Sequence, residues 1–196
     1  MRERIVLAVV VAGLLACVTG CKKPVDRAQF ISAINQSLQG RHECIFPEPI
    51  KLPVQADPST DNRIRVFEAL TDAGLFMHVS MEKKSFSAKQ INTYNLSDKG
   101  HSSWIPEAGH PDRGNFCFGH FNATTVDKAT PNDSANPTQY AVTYQYEVLG
   151  IPEWVRTPES MRAFPKLAAD TSIQSATATL TKATNGGWTV DSHSAQ

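Results

Sequence analysis

The sequence predicts an α+β fold in which N-terminal helices pack with a mainly antiparallel sheet supplied by the second half of the chain. Three observations carry this. Phe30, Ile31, Ile34 and Leu38 recur at helical spacing. Tyr140, Val142, Tyr144, Tyr146 and Val148 occupy every second position of 139–149, with Thr143, Gln145 and Glu147 between them, as a half-buried strand requires. Helix patterns precede strand patterns instead of alternating with them, which favours α+β layers over a parallel sheet. With 196 residues, 41% of them hydrophobic, the chain can bury a core of its own.

Each element has a local reason. Asp26 is placed to cap the first helix and Gly40 to end it. Pro47, Pro49, Pro53 and Pro58 withdraw four amide donors from 45–58, so an extended surface connection is expected there. Ser59 or Asp61 is the expected cap of a second helix with Ile64, Phe67 and Leu70 on one face and Gly74 as its stop. Residues 75–81 are apolar and β-prone. After Lys83 and Lys84 a second strand passes through Ile91, Tyr94 and Leu96 to a turn at Ser97-Asp98-Lys99-Gly100, and the two strands are expected to pair.

The stretch 106–114, rich in Pro and Gly, reads as loop, Phe116 to Val126 as one strand, and 130–138 as another loop. Pro152, Pro158 and Pro165 interrupt 151–167 and leave room for a short helix with Trp154, Met161 and Phe164. Ala176, Ala178 and Leu180 alternate with threonines. Asn185-Gly186-Gly187 then turns the chain into Trp188, Thr189 and Val190, closing a sheet expected over 114–191.

Lys plus Arg and Asp plus Glu each number 19, so the formal net charge is zero and no field draws nucleic acid or a polyanion. Residues 59–100 combine a predicted helix ending Leu70-Thr71-Asp72-Ala73-Gly74-Leu75, two predicted strands, then Tyr94-Asn95-Leu96-Ser97-Asp98-Lys99-Gly100. They resemble the helix-and-wing half of a winged-helix domain. DNA-binding members need an excess of Lys and Arg, and this segment carries a net charge of only +1, so it is expected to serve as scaffold with no nucleic-acid partner.

The N-terminus is the most specific signal. Arg2 and Arg4 precede an uncharged run of 14 residues, Ile5 to Val18, too short for a hydrocarbon core that needs about 20 apolar residues. A cleaved secretory signal over 1–20 is therefore expected. Val18-Thr19-Gly20-Cys21 resembles the lipobox of bacterial lipoproteins, which implies that Cys21 becomes the lipidated first residue of a single periplasmic domain, 21–196. Leu14-Leu15-Ala16-Cys17 matches less well, because it shortens the apolar run. By the same resemblance, Lys22 after the lipidated cysteine fits outer-membrane export better than inner-membrane retention. The alternative is an ordinary secreted chain.

Loss of Arg2, Arg4 and Glu3 leaves a net charge of −1. Once Cys21 is acylated, Cys44 and Cys117 remain as an even pair in an oxidising compartment, and a disulfide is the simplest arrangement; two buried thiols are the alternative. His42, His101, His110 and His120 lie near these cysteines in sequence, which allows a metal or enzymatic site beside the disulfide. Their spacing lacks the short ligand pattern, and oxidised cysteines do not ligate, so no metal ligand is assigned. Asp57-Pro58-Ser59-Thr60-Asp61 with Glu68 imitates a calcium loop, but Asn62 replaces the turn glycine and Arg63 and Arg65 oppose a cation, so helix capping accounts for it better.

No nucleophile elbow, P-loop or dinucleotide fingerprint occurs, and no catalytic residue or cofactor is assigned. Trp104, Trp154 and Trp188 are either core or an exposed aromatic platform. Together with the lipobox, Asn115-Phe116-Cys117-Phe118-Gly119, Thr143-Tyr144-Gln145-Tyr146, Pro152-Glu153-Trp154 and Leu96-Ser97-Asp98-Lys99-Gly100 resemble a group of proteobacterial lipoproteins of uncharacterised activity. That resemblance implies location and tethering. The expected function is a non-enzymatic binding or structural module of the envelope, anchored in the membrane by lipid and partnered by an envelope protein. The alternative is a periplasmic enzyme or metal-binding protein with a site near Cys44 and Cys117.

Overall fold

The computed structural model describes residues 26–80 and 90–195. The signal segment, Cys21, Met81 and Lys83-Lys84 lie outside the described residues. Helix α1 spans Arg27–Leu38, and the Asp26 carboxylate accepts from the amides of Ala28 and Gln29 as its position predicts. Three short strands follow: β1 (Glu43–Cys44), β2 (Ile50–Lys51) and β3 (Val54–Ala56), with a cis Leu52–Pro53 peptide before the third. The proline-rich stretch is extended, as expected, but it is more than a surface connection. Ala56 is buried, and Ile45, Phe46, Ile50, Leu52 and Val54 pack on the core.

Helix α2, Ile64–Asp72, buries Ile64, Phe67 and Leu70, the face that the spacing predicts. Its cap differs from expectation. Asp61 accepts from the backbone amide and the guanidinium of Arg63, while the Ser59 hydroxyl donates to Asp57. Both side chains close turns ahead of the helix and leave Arg63 at the N-cap without a side-chain acceptor. Strands β4 (Phe76–Ser80) and β5 (Asn92–Leu96) pair antiparallel, and β3 joins the other side of β5 to give the order β3-β5-β4.

Ser97-Asp98-Lys99-Gly100 does not form a turn; it opens helix α3, Asp98–Ser103. Ser97 Oγ accepts from the Gly100 amide and donates to the Gly74 carbonyl, and Lys99 Nζ donates to the Ala73 carbonyl at 2.7 Å. The first turn of α3 thus satisfies carbonyls that α2 leaves open at its C-terminus. The residue types that favour turns are also those that cap helices, so sequence alone reads either way.

Strands β6 (Trp104–Glu107) and β7 (His110–Phe118) form a hairpin where a loop was expected. β6 is an edge strand, which tolerates Pro106. The single strand expected over 116–126 is divided at Gly119, whose φ of 58° ends β7 and starts β8, His120–Pro131. β9, Gln139–Leu149, matches its alternation. The connection after it holds a 3-10 turn at Glu153–Arg156 and two short helices, α4 (Pro158–Ala163) and α5 (Leu167–Asp170), where one was expected. β10 (Gln174–Lys182) and β11 (Trp188–Ala195) form the C-terminal hairpin and complete the antiparallel order β11-β10-β9-β8.

Register shifts in β8 near Ala123–Lys128 and in β10 at Thr179/Leu180 bend the outer pairs, and α1 packs against both outer strands, β8 and β11. Asn35 of α1 accepts from the Ala123 amide at 2.7 Å and donates to the Ala123 carbonyl at 3.1 Å, covering part of the β8 edge. Phe30, Ile34, Val142 and Leu180 lead the cluster beneath α1. A second cluster gathers Phe67, Leu70, Tyr94, Phe116, Phe118 and Trp154. Phe121 touches both, and β9 feeds both, with Val142 in one and Val148 in the other.

Cys44 and Cys117 face one another in the β1–β7 pairing and are joined by a disulfide that closes a separation of 73 residues. Two outcomes follow. Replacing both cysteines with alanine lowers unfolding free energy in urea by about 4 kcal/mol, the loop-closure value for that length. Gly100→Ala lowers it by about 3 kcal/mol, an overpacking cost, because a Cβ there would sit 2.0 Å from the Leu75 carbonyl oxygen. A loss under 1 kcal/mol in either titration contradicts the assigned role.

Candidate functional site

Phe46, Ile50 and Val54 of the strap (45–56), Val66 and Phe67 of α2, and Phe164 line an apolar cleft of about 560 Å³. Their placement starts in β7. Asn115 is buried, and its carboxamide clamps both backbone groups of Phe46: Oδ1 accepts from the Phe46 amide at 3.1 Å and Nδ2 donates to the Phe46 carbonyl at 2.6 Å. The Leu52 amide donates to the Asp112 carbonyl at 2.8 Å, and the Arg113 guanidinium donates to the Pro49 carbonyl at 3.3 Å. With the disulfide at one end, the strap is fixed along its length. Phe46 meets Phe164 edge-on with centroids 5.8 Å apart.

The rim is electrically balanced. Lys51 pairs with Asp112 at 3.2 Å and Arg63 with Asp61 at 2.7 Å. The hydrogen bonds from Arg63 and Lys51 hold the Asp61 and Asp112 carboxyls below their ordinary range. Among the described residues Gln55 is the one other polar side chain in the lining, and no serine, histidine or carboxylate lines the cleft. Such a lining desolvates an apolar guest and offers no nucleophile–base pair. Among the described residues β2 pairs with β7 alone and β3 with β5 alone, so both strands that border the cleft keep one edge unpaired there.

Of the site residues read from sequence, Cys44 and Cys117 are brought together, and Cys21 lies outside the described residues. His42, His101, His110 and His120 are all exposed, and His42 bonds the Gly119 carbonyl through Nδ1. Among the described residues no group of three or more His, Cys, Asp or Glu converges as metal ligands. Trp104 and Trp154 both pack edge-on against Phe116, whereas Trp188 packs edge-on against Phe30 and Tyr140 in the other cluster, so the three form no common platform. The cleft residues themselves escaped sequence reasoning. Their signal is the interleaving of Ile45, Phe46, Ile50, Leu52 and Val54 with prolines, more apolar surface than a solvated connection carries.

Two polar clusters lie away from the cleft. Tyr144 Oη and Ser37 Oγ hold the two ring nitrogens of His193 at 3.0 and 2.9 Å, and Ser37 donates to the Ile34 carbonyl at 2.7 Å. One proton arrangement satisfies every group: Tyr144 donates to Nδ1, and Nε2–H donates to Ser37. The serine proton is spent on a carbonyl, so the trio is a structural relay. Burial pushes Tyr144 up to about 12, and burial with Arg41 nearby pushes His193 down. Glu43 and Asp170 are both raised, chiefly by desolvation, and the Asp170 charge raises Glu43 further.

No protein-family model, curated protein or solved structure matches the chain.

The relay makes stability pH-dependent. An unfolded imidazole takes its proton near 6.5 while the folded one resists, so the His193 contribution is complete above that value and is lost as pH falls below it. Glu43 and Asp170 act with the opposite sign, favouring the folded state in acid and losing that contribution as pH rises through their raised values. Thermal midpoints measured from pH 7.5 to 5.5 are therefore expected to show a smaller acid loss in His193→Gln than in the parent. Parallel profiles would contradict the relay.

Proposed function

We propose that the chain is a lipid-anchored protein of the bacterial envelope, acylated at Cys21, with its folded part in the periplasm and its anchor in the outer membrane. Its activity is binding without catalysis. The cleft takes an extended apolar segment of an envelope protein partner. The observation that carries this reading is the conjunction of an apolar, charge-balanced cleft with the unpaired edges of β2 and β3 beside it. A strand added to either edge places alternate side chains toward such a cleft while main-chain bonds supply affinity. The unit β3-α2-β4-β5 is read as the helix-and-wing half of a winged-helix domain used as scaffold, with α2 as one wall of the cleft.

Tethering suits this role, because two or three acyl chains at about 0.8 kcal/mol per buried methylene hold the module at the membrane and raise its local concentration there. The test is intact-mass analysis of membrane-extracted protein, combined with crosslinking before and after Val66→Glu. The expected result is an acylated Cys21 and a stoichiometric envelope-protein adduct that Val66→Glu abolishes without loss of the fold. An unmodified Cys21 overturns the anchor, and an adduct indifferent to Val66→Glu overturns the cleft.

A further inference from the structure

A second groove, of about 590 Å³, lies between α1 and the β10–β11 hairpin. Gln29, Ser32 and Gln36 line it from one side at positions i, i+3 and i+7 of a single helix face. Asn185 and Trp188 line it from the other. Its size falls within the roughly 300–1,000 Å³ usual for small-ligand sites. None of its lining residues bears a formal charge, in a chain of which 19% is charged. Phosphates, carboxylates and cations therefore find no counter-charge in it.

The polar groups are free to work. Among the described residues the side chains of Gln29, Ser32 and Gln36 make no hydrogen bond, and neither does the Trp188 indole N–H. Asn185 Oδ1 accepts from the Gly187 amide at 3.0 Å, which orients its NH2 group and leaves that donor unpaired. Each glutamine carries a donor and an acceptor side by side, a match for vicinal hydroxyls that both give and accept. Trp188 is half-buried and packs nearly perpendicular to Phe30 and Tyr140, with centroids 5.1 and 5.3 Å away, so its ring is already ordered before any ligand arrives. A rigid aromatic ring beside uncharged amide and hydroxyl groups suits a ligand with an apolar C–H face and a rim of hydroxyls.

We infer that the groove between α1 and the β10–β11 hairpin binds a neutral saccharide. The full chain, held in a detergent without a sugar headgroup, is titrated calorimetrically with chitotetraose, cellotetraose and maltotetraose to millimolar concentration. At least one binds at a single site and shifts the indole N–H resonance of Trp188, identified by its loss in Trp188→Phe. Gln29→Ala with Gln36→Ala, both exposed on α1 and safe for the fold, weakens that binding about tenfold or more. Val66→Glu, in the apolar cleft, leaves it unchanged. The inference is overturned if none of the three saccharides binds, or if the glutamine pair can be removed without effect.

Discussion

Asn115, Phe116, Cys117 and Phe118 divide one strand between two tasks by simple alternation. Asn115 and Cys117 hold the proline strap, through a carboxamide clamp on Phe46 and a disulfide to Cys44. Phe116 and Phe118 fill the core beneath, where both meet Trp154 edge-on at 6.5 and 5.9 Å. The period of two in an extended chain makes this possible: one face secures a segment that cannot hydrogen-bond for itself, and the other face packs. Gly119 ends the arrangement with a positive φ and a close approach in which a Cβ would lie 2.6 Å from the Leu149 carbonyl oxygen. The cleft exists because the strap is held at a distance from α2 and is not free to collapse onto it.

The elements whose apolar period is long were legible in the sequence. α1, the face of α2, β9 and the C-terminal hairpin follow their spacing, since each buries one continuous side in the core. Residue types with two structural uses are ambiguous in the sequence. Ser97 and Asp98 serve a helix cap as well as a turn, and Pro106 and Gly109 serve an edge hairpin as well as a loop. In each case the tertiary partner decides: the open carbonyls of Ala73 and Gly74 draw α3 into place, and β7 gives β6 a ladder. The disulfide was legible from cysteine arithmetic. The cleft was not, because Phe164 joins the strap and α2 from far along the chain, and its lining carries no chemical motif.

The two clusters of the fold offer two different surfaces. The cleft grows from the cluster around Phe67 and Phe116 and is apolar, with its cations already paired. The groove grows from the cluster beneath α1 and is polar without charge. β9 and Phe121 contribute to both clusters, so one continuous sheet-and-core path joins the walls of the two surfaces.

Position relative to the anchor separates them further. Five residues lie between Cys21 and the first residue of α1, and the six fully extended steps that separate them span about 20 Å. With Cys21 acylated as proposed, the start of α1 stays within that distance of the lipid headgroups, and Gln29 lies in its first turn. The tether then leads directly into the helix that forms one wall of the groove. The cleft is connected to the tether only through the whole of α1 and the disulfide-bound strap, and Asn115, Cys117 and Asp112 fix it in a rigid frame. With the anchor as proposed, a short tether leads to one wall of the groove, while a clamped strap borders the cleft.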